Sequence, residues 1–175
     1  MSRVVSWLQI REQQLFYIVN RKMRHSALDR FFAAATHLGG ASVTIAATLL
    51  VALFGSGSWR LAGLESLIAL AVSHVPVAVV KRTYPRRRPY LVLPETNICK
   101  NPLTDHSFPS GHSTAVFSVV VPFVCAAPAL GFVLLPLAGL VSLSRIYLGL
   151  HYPSDCAAGI ALGTCAGLGA VAWFA

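Results

Sequence analysis

The sequence predicts an all-α protein, a polytopic transmembrane helix bundle of five spans plus an N-terminal interfacial helix, six helices in total. Hydrophobic residues make up 55% of the chain and charged residues only 11%, whereas a soluble domain carries about 25% charged residues. Several apolar runs approach the ~20 residues that cross a ~30 Å hydrocarbon core. The length of 175 residues fits one domain, so residues 1–175 are expected to form a single membrane-embedded unit.

The first segment, residues 1–23, is expected to lie on the membrane surface. Val4, Leu8 and Leu15 can share one helical face, while Arg11 and Glu12 occupy another. Each charge at the bilayer centre would cost ~2.5–3.5 kcal/mol on the insertion scale. An interfacial helix is therefore favoured over a sixth span.

Five apolar segments follow and are the predicted spans: 31–54, 61–80, 112–130, 132–150 and 156–175. In the last of them Gly159, Gly163 and Gly167 recur every four residues. A stripe of small residues lets helices approach closely, so this stripe predicts packing inside the bundle. The four cysteines have no metal-ligand spacing and are interpreted as small hydrophobic residues.

Polar residues cluster at the ends of these spans. Lys81 to Arg88 follow the second span, and the sequence PSGH at 109–112 opens the third. Arg145 and His151 come at the end of the fourth span, and Asp155 opens the fifth. A chain that crosses back and forth brings all three clusters to one membrane face. Residues 81–155 are therefore the predicted catalytic core.

The cations of this face suit a phosphate. Arginine binds phosphate through its planar fork and lysine through a point charge, and Lys81, Arg88 and Arg145 are the candidates. Ser110 is the expected N-cap of a helix whose first N–H groups attract anions. Gly111 would allow the backbone to approach such an anion. By contrast, the neighbouring arginines at 82, 86 and 87 are expected to meet lipid headgroups.

Two histidines, His112 and His151, complete the predicted site. An imidazole can attack phosphorus or protonate a leaving oxygen near neutral pH, and Asp155, four residues after His151, can orient it. The residues alone leave open which histidine attacks. The six acidic residues form no plausible carboxylate cage, so chemistry without a metal or another cofactor is expected.

Three motifs carry a resemblance to a known family: Lys81-x6-Arg88-Pro89, Pro109-Ser110-Gly111-His112 and Ser144-Arg145-x5-His151-x3-Asp155. Together they resemble the three-part signature of the type 2 phosphatidic acid phosphatases. These membrane lipid phosphatases share their phosphate pocket with the vanadium haloperoxidases. The resemblance implies that His151 is the nucleophile and forms a phosphohistidine, that Asp155 orients it and that His112 protonates the leaving alkoxide. It also implies a set of phosphate-binding residues: Lys81, Arg88, Ser110, Gly111 and Arg145.

The expected function is that of an integral membrane phosphoric ester hydrolase acting on phosphatidate, phosphatidylglycerophosphate or polyprenyl diphosphate. The alternatives are a lipid phosphotransferase, a membrane transporter and a non-catalytic lipid-binding protein. Expected partners are the lipid phosphate substrate and membrane lipids, not nucleic acid, and the protein is expected to be a monomer or homodimer.

The bacterial cytoplasmic membrane is the expected location. Of the 14 Lys and Arg residues, only Arg60 falls on the face opposite the site, which favours a cytoplasmic active site. Bacterial members of the family commonly act at the outer face, so the side of the membrane stays open.

Overall fold

The computed structural model describes residues 3–98 and 102–175, which contain helices and no strand. Eight α-helices follow one another in this part of the chain: α1 (Arg3–Tyr17), α2 (Ser26–Ala35), α3 (Ala41–Phe54), α4 (Gly57–Thr83), α5 (Pro89–Val92), α6 (Gly111–Ala126), α7 (Gly131–Tyr147) and α8 (Pro153–Phe174). A π-helical turn at Ile18–Lys22 and 3₁₀ turns at Thr36–Gly39 and Pro128–Leu130 complete the helical structure. The all-α prediction is confirmed. Cys99 and Lys100 lie outside the described residues.

The predicted total of six helices is too low for two physical reasons. The first predicted span is not one helix, because the α-helix is interrupted at residues 36–40, between α2 and α3. The two helices meet there at a bend of 51°. The long polar connection also contains a short helix, α5, which begins at Pro89. Proline is favoured in the first turn of a helix because its fixed φ suits the helix and its missing N–H is not needed there.

By length and composition, three helical segments can cross a membrane: Gly57–Thr83, Pro128–Tyr147 and Pro153–Phe174. The bent pair Ser26–Gly39 and Ala41–Phe54 would make a fourth span if its halves act together. Helix α6 is apolar but has only 16 residues. The described part of the chain is thus an integral membrane bundle with three to four helices of spanning length.

Helix α1 is amphipathic and docks on the rest of the bundle through one aromatic residue. Phe16 is fully buried against Leu93, Ile146, Tyr152 and Cys156. The apolar residues nearer the N-terminus of α1 remain exposed: Val4, Trp7, Leu8 and Ile10. This segment is helical, as the sequence predicts, and its C-terminal end lies beside the connection between α7 and α8.

Helix α6 lies at the centre of the bundle and packs most closely on α8. A Cβ atom at Gly159 would lie 2.6 Å from the Ser110 carbonyl oxygen, and one at Gly163 would lie 2.4 Å from that of Thr114. A Cβ atom at Gly167 would come within 2.8 Å of Val121. Since such distances are shorter than van der Waals contact, the glycine stripe packs inside the bundle as predicted. It brings the N-termini of α6 and α8 together.

Candidate active site

The PSGH motif forms the start of α6. Ser110 is the N-cap, as predicted, and its Oγ accepts a hydrogen bond from the Ser113 amide at 3.4 Å. The Ser110 amide donates to the Asp155 carbonyl oxygen at 3.0 Å, which ties α6 to the first turn of α8. A Cβ atom at Gly111 would meet nothing within 4 Å. The Cα atom of Gly111 therefore borders open space.

The connection between α7 and α8 turns His151 into the protein. The Arg145 carbonyl oxygen accepts hydrogen bonds from the amides of Leu150 and His151 at 3.0 and 3.2 Å. Gly149 has φ of +74°, and a Cβ atom there would lie 2.4 Å from the Asn97 carbonyl oxygen. Both facts require glycine. The turn leaves His151 only 1% exposed.

Asp155 faces His151 and is itself held by several donors. Its Oδ2 lies 3.7 Å from Nδ1 of His151, longer than an ordinary hydrogen bond. The same oxygen accepts from the Tyr152 amide at 2.8 Å and from Ser107 Oγ at 2.5 Å. Oδ1 accepts from Arg86 Nη1 at 2.6 Å. The carboxylate is fully buried and fixed from both sides.

Arg88 uses its whole guanidinium group in this structure. Nε donates to the Asp105 carbonyl oxygen at 2.8 Å, and Nη1 donates to the Leu150 carbonyl oxygen at 2.7 Å and lies 3.2 Å from His151 Nε2. Nη2 donates to Asp105 Oδ1 at 2.6 Å and to the His106 carbonyl oxygen at 3.4 Å. All five donors of the fork thus point at protein acceptors. Arg88 must exchange some of them to bind an anion.

Lys81 joins the same group through Asp105. The Lys81 ammonium forms a salt bridge with Oδ2 of Asp105, while Arg88 holds Oδ1. Partial burial opposes the charged form of this carboxyl, but the hydrogen bond from Lys81 and the charges of Arg88 and Lys81 lower the pKa of Asp105 to about 2. A carboxylate therefore bridges two of the cations that the sequence assigns to phosphate.

Arg145 and His112 meet at a small cavity of about 260 Å³, which Thr36, His37 and Leu150 also line. Nη1 of Arg145 donates to Thr36 Oγ1 at 2.7 Å. Thr36 and His37 belong to the break between α2 and α3. Gly39 in the same break is so close to α6 that a Cβ atom would lie 3.0 Å from the His112 carbonyl oxygen.

A second, apolar cavity of about 440 Å³ reaches Gly111 and His112 from between α3, α4 and α6. Ile45, Leu67 and Leu70 belong to its lining, together with His74. Nδ1 of His74 lies 2.8 Å from the Leu70 carbonyl oxygen and must donate to it. The cavity thus places mostly apolar side chains next to Gly111 and His112.

The protonation state of His151 follows from its surroundings. Burial removes an imidazolium from water and the Arg145 and Arg88 cations repel it, so the pKa of His151 falls to about 4 although Asp155 favours the charged form. The ring is neutral at pH 7. Because Arg88 can only donate, Nε2 is the acceptor and the proton is on Nδ1, facing Asp155.

The structure thus brings the predicted site residues together, with different degrees of contact. His151 lies between Arg88, which is 3.2 Å from its Nε2, and Asp155, which is 3.7 Å from its Nδ1. Lys81 joins through Asp105, Ser110 through the Asp155 backbone, and Arg145 and His112 through their shared cavity. Among the described residues no three His, Cys, Asp or Glu side chains converge as metal ligands, and metal-free chemistry remains a prediction.

Several contacts were not predicted. Arg86 binds Asp155 instead of a lipid headgroup, which corrects the assignment of its side chain to the membrane surface. In the non-helical stretch 85–88, Arg86 and Arg88 point inward and Arg87 is exposed. Successive side chains of an extended chain point to opposite sides. This period of two could have predicted that Arg86 points to the same side as Arg88. No comparable sequence pattern predicts the contacts of Asp105, Ser107 and Thr36 with the site.

The fold and the site together define a helical membrane protein with a buried histidine–carboxylate pair among cations that suit a phosphate group. The PAP2 superfamily model matches residues 62–175, and the chain belongs to this family. Similar proteins include the undecaprenyl-diphosphatase of Sulfolobus acidocaldarius, 30% identical over 86% of this chain and 72% of the relative. The bacitracin transport permease protein BcrC of Bacillus licheniformis is 34% identical over 62% of this chain and 54% of its own length.

The structural comparison agrees with the family assignment. The crystal structure of LpxE from Aquifex aeolicus superposes with a TM-score of 0.83 at 26% identity, over 91% of this chain and 94% of that one. The chain matches only about half of BcrC.

Proposed function

We propose that this protein is a membrane lipid phosphate phosphatase that works through a phosphohistidine intermediate. The observation that carries the proposal is the position of His151, with one ring nitrogen facing Asp155 and the other in contact with Arg88. A neutral imidazole with its proton directed at a carboxylate presents its other nitrogen as a nucleophile. The cations around it fit the phosphoryl group that it would attack.

In the first step Nε2 of His151 forms a bond to the terminal phosphorus while the bond from that phosphorus to the leaving oxygen breaks. The leaving oxygen belongs to the lipid alcohol in a phosphomonoester and to the lipid monophosphate in a diphosphate. His112 gives its proton to that leaving oxygen. In the second step water attacks the phosphohistidine, its proton passes to His112, and the bond between phosphorus and Nε2 breaks to release inorganic phosphate. Asp155 stabilises the positive charge that His151 carries between the two steps.

The phosphoryl oxygens are held by Lys81, Arg88 and Arg145, with Ser110 and the Gly111 amide at the start of α6. Cations and N–H groups close to the phosphoryl oxygens stabilise the negative charge that develops there in the transition state. Arg88 exchanges its contacts with Asp105 and His151 for contacts with the phosphoryl group, so the attacking nitrogen becomes free when the substrate arrives. The side chains thereby supply the charge that divalent ions supply in many phosphatases.

The leaving group carries the lipid chain. The apolar cavity of about 440 Å³ ends at His112, so the acyl or prenyl chain occupies it while the phosphate lies on the side of Arg145. The name of one relative, undecaprenyl-diphosphatase, makes a polyprenyl diphosphate a leading candidate. Phosphatidate and phosphatidylglycerophosphate have the same chemistry at phosphorus and are the other candidates.

The bundle is proposed to cross the bacterial cytoplasmic membrane five times, with α1 lying in the interface. Helix α6 alone extends about 24 Å at 1.5 Å per residue, which approaches the ~30 Å thickness of the hydrocarbon core. The exposed apolar residues of α1, such as Trp7 and Leu8, are suited to the headgroup boundary.

The direct test measures inorganic phosphate released from phosphatidate, phosphatidylglycerophosphate and undecaprenyl diphosphate by purified protein in detergent with EDTA. We expect release from at least one lipid, and a loss of about 10³-fold or more for His151→Ala and His151→Gln. His25→Asn, at the N-cap of α2, is the control and should retain activity. Activity that requires added magnesium, or an active His151→Gln protein, would refute the proposal.

A further inference from the structure

Glu12 of the interfacial helix reaches the catalytic carboxylate through one arginine. Arg86 Nη2 donates to Glu12 Oε2 at 2.7 Å, and Arg86 Nη1 donates to Asp155 Oδ1 at 2.6 Å. The Glu12 side chain is 15% exposed and that of Arg86 24% exposed, while Asp155 is fully buried. Three charges thus alternate in sign along a line that leads from the membrane-surface helix into the site.

Both ends of this line are held in place by further contacts. Ser154, the neighbour of Asp155, donates its amide to Glu12 Oε1 at 3.0 Å and also its hydroxyl to the same oxygen. Its Oγ accepts from Arg86 Nη1 at 2.7 Å. The Arg86 guanidinium lies 4.1 Å above the centre of the Tyr152 ring. A planar fork that contacts two carboxylates and stacks on a ring has little freedom to rotate.

Arg86 also acts on the second oxygen of Asp155 through the backbone. Its carbonyl oxygen accepts from the Ser107 amide at 2.9 Å, and Ser107 Oγ donates to Asp155 Oδ2 at 2.5 Å. Oδ2 is the oxygen that faces Nδ1 of His151. Removing the Arg86 side chain would free Oδ1 and allow the carboxylate to rotate about its last bond.

The sequence of α1 explains why its helix can supply this contact. Glu12 and Phe16 are four residues apart and therefore share one face. Phe16 is fully buried, with its ring 5.9 Å from that of Tyr152. The packing of Phe16 fixes the helix against the α7–α8 connection, and Glu12 one turn earlier then meets Ser154 and Arg86.

We propose that Glu12 and Arg86 are positioning residues, which hold the Asp155 carboxylate in the orientation that directs His151 at the substrate. The inference rests on the proposed function of the site. Neither side chain touches the phosphoryl group or the lipid. The interfacial helix is thereby part of the machinery of the reaction.

The test compares each proposed positioning residue with its neighbour in the sequence, which has the same kind of side chain or lies on the same helix but makes no contact with Asp155. Arg86→Gln should lower kcat about 10- to 100-fold, the usual effect of losing an outer partner of a reacting group. Arg87→Gln, whose parent side chain is exposed, should retain wild-type kcat. Glu12→Gln should lower kcat roughly tenfold, the scale of one charged hydrogen bond, and Arg11→Gln on the same helix should not.

Two further measurements separate positioning from a general loss of structure. In an Asp155→Asn background, Arg86→Gln should cause no additional loss of kcat beyond about twofold, because its effect acts through that carboxylate. Product inhibition by inorganic phosphate should stay within about threefold of wild type, because Arg86 does not hold the anion. If Arg86→Gln unfolds the protein in detergent, Glu12→Gln at the edge of the network provides the same test.

Additive losses in the double variant, or a weakened inhibition by phosphate that matches the loss of kcat, would overturn the positioning role. So would wild-type kcat in both Arg86→Gln and Glu12→Gln. These results differ from a failure of the proposed function, which would show as no phosphate release by the wild-type protein or full activity of Asp155→Asn.

Discussion

Arg88 Nη1 lies 3.2 Å from His151 Nε2, and this contact determines which nitrogen of the buried imidazole carries the proton. A guanidinium can only donate, so Nε2 accepts and Nδ1 keeps its hydrogen toward Asp155. The same contact covers the nitrogen that would attack phosphorus. In the proposed reaction, substrate therefore draws Arg88 away before His151 attacks.

The first prediction concerns the charge of His151. Because its pKa is lowered to about 4, the imidazole is neutral from pH 5 upward and gains a proton only as the pH falls through that value. In histidine-labelled protein, nitrogen NMR should show an Nδ1-protonated neutral ring at pH 7. The signal absent from His151→Gln identifies it among the six histidines. A midpoint near 6.5 would contradict the argument from burial.

The second prediction concerns Asp105, which bridges Lys81 and Arg88 in the absence of substrate. Asp105→Asn removes a negative charge that competes with phosphate for these two cations. Inhibition by inorganic phosphate should become about 2- to 5-fold stronger, the scale of one partly exposed ion pair. Asp29→Asn, whose carboxylate instead accepts from Tyr147, is the control. Weaker inhibition in Asp105→Asn would mean that this carboxylate positions the cations.

The third prediction tests the break in the first span. Arg145 Nη1 donates to Thr36 Oγ1 at 2.7 Å, and Thr36→Val replaces that acceptor by a methyl group of similar size. We expect kcat/KM to fall roughly tenfold, because the guanidinium loses a charged hydrogen bond that sets its direction. Thr48→Val is a matched control, since Thr48 Oγ1 bonds only to carbonyl oxygens of its own helix. Equal effects of the two substitutions would sink this role for Thr36.

The fourth prediction addresses the packing of α8 on α6. A Cβ atom at Gly163 would lie 2.4 Å from the Thr114 carbonyl oxygen, whereas one at Gly169 would meet nothing within 4 Å. Gly163→Ala should destabilise the protein by about 1–3 kcal/mol, the usual result of overpacking. Gly169→Ala, in the same helix, should leave the unfolding temperature in detergent unchanged or slightly raised. A Gly163→Ala protein as stable as wild type would show that α8 can shift outward without cost.

The break between α2 and α3 shows where the sequence signal fails. Residues 31–54 were predicted as one span from their apolar length, although the Gly39-Gly40 pair within them is a local signal for a break. The bend places Thr36 beside Arg145 and Gly39 against the His112 backbone. The low helix propensity of the two glycines and the close packing of Gly39 against α6 act in the same direction, and a hydropathy pattern records neither.

The histidine–carboxylate pair shows the opposite case. His151 and Asp155 were predicted as partners from a spacing of four residues. Gly149, just before His151, adopts a positive φ of +74°. Local rules sufficed here because the two residues are joined by a short segment with strong backbone constraints. The orientation of the carboxylate nevertheless depends on Ser107 and Arg86, which are far away in the sequence.

By itself, the sequence determined the helical membrane class, the polar clusters at the span ends and the identity of the residues that suit a phosphate. The length of the apolar segments, the small number of charges and the spacing of the motifs are properties of the sequence and can be read without knowing the fold. Only the tertiary structure decided which of the arginines at 86, 87 and 88 enter the protein, and that Asp105 occupies the cations. It also decided that Glu12 is linked to Asp155 through the side chain of Arg86. Such contacts join segments far apart in the sequence, and their partners are chosen by the packing of the helices that carry them.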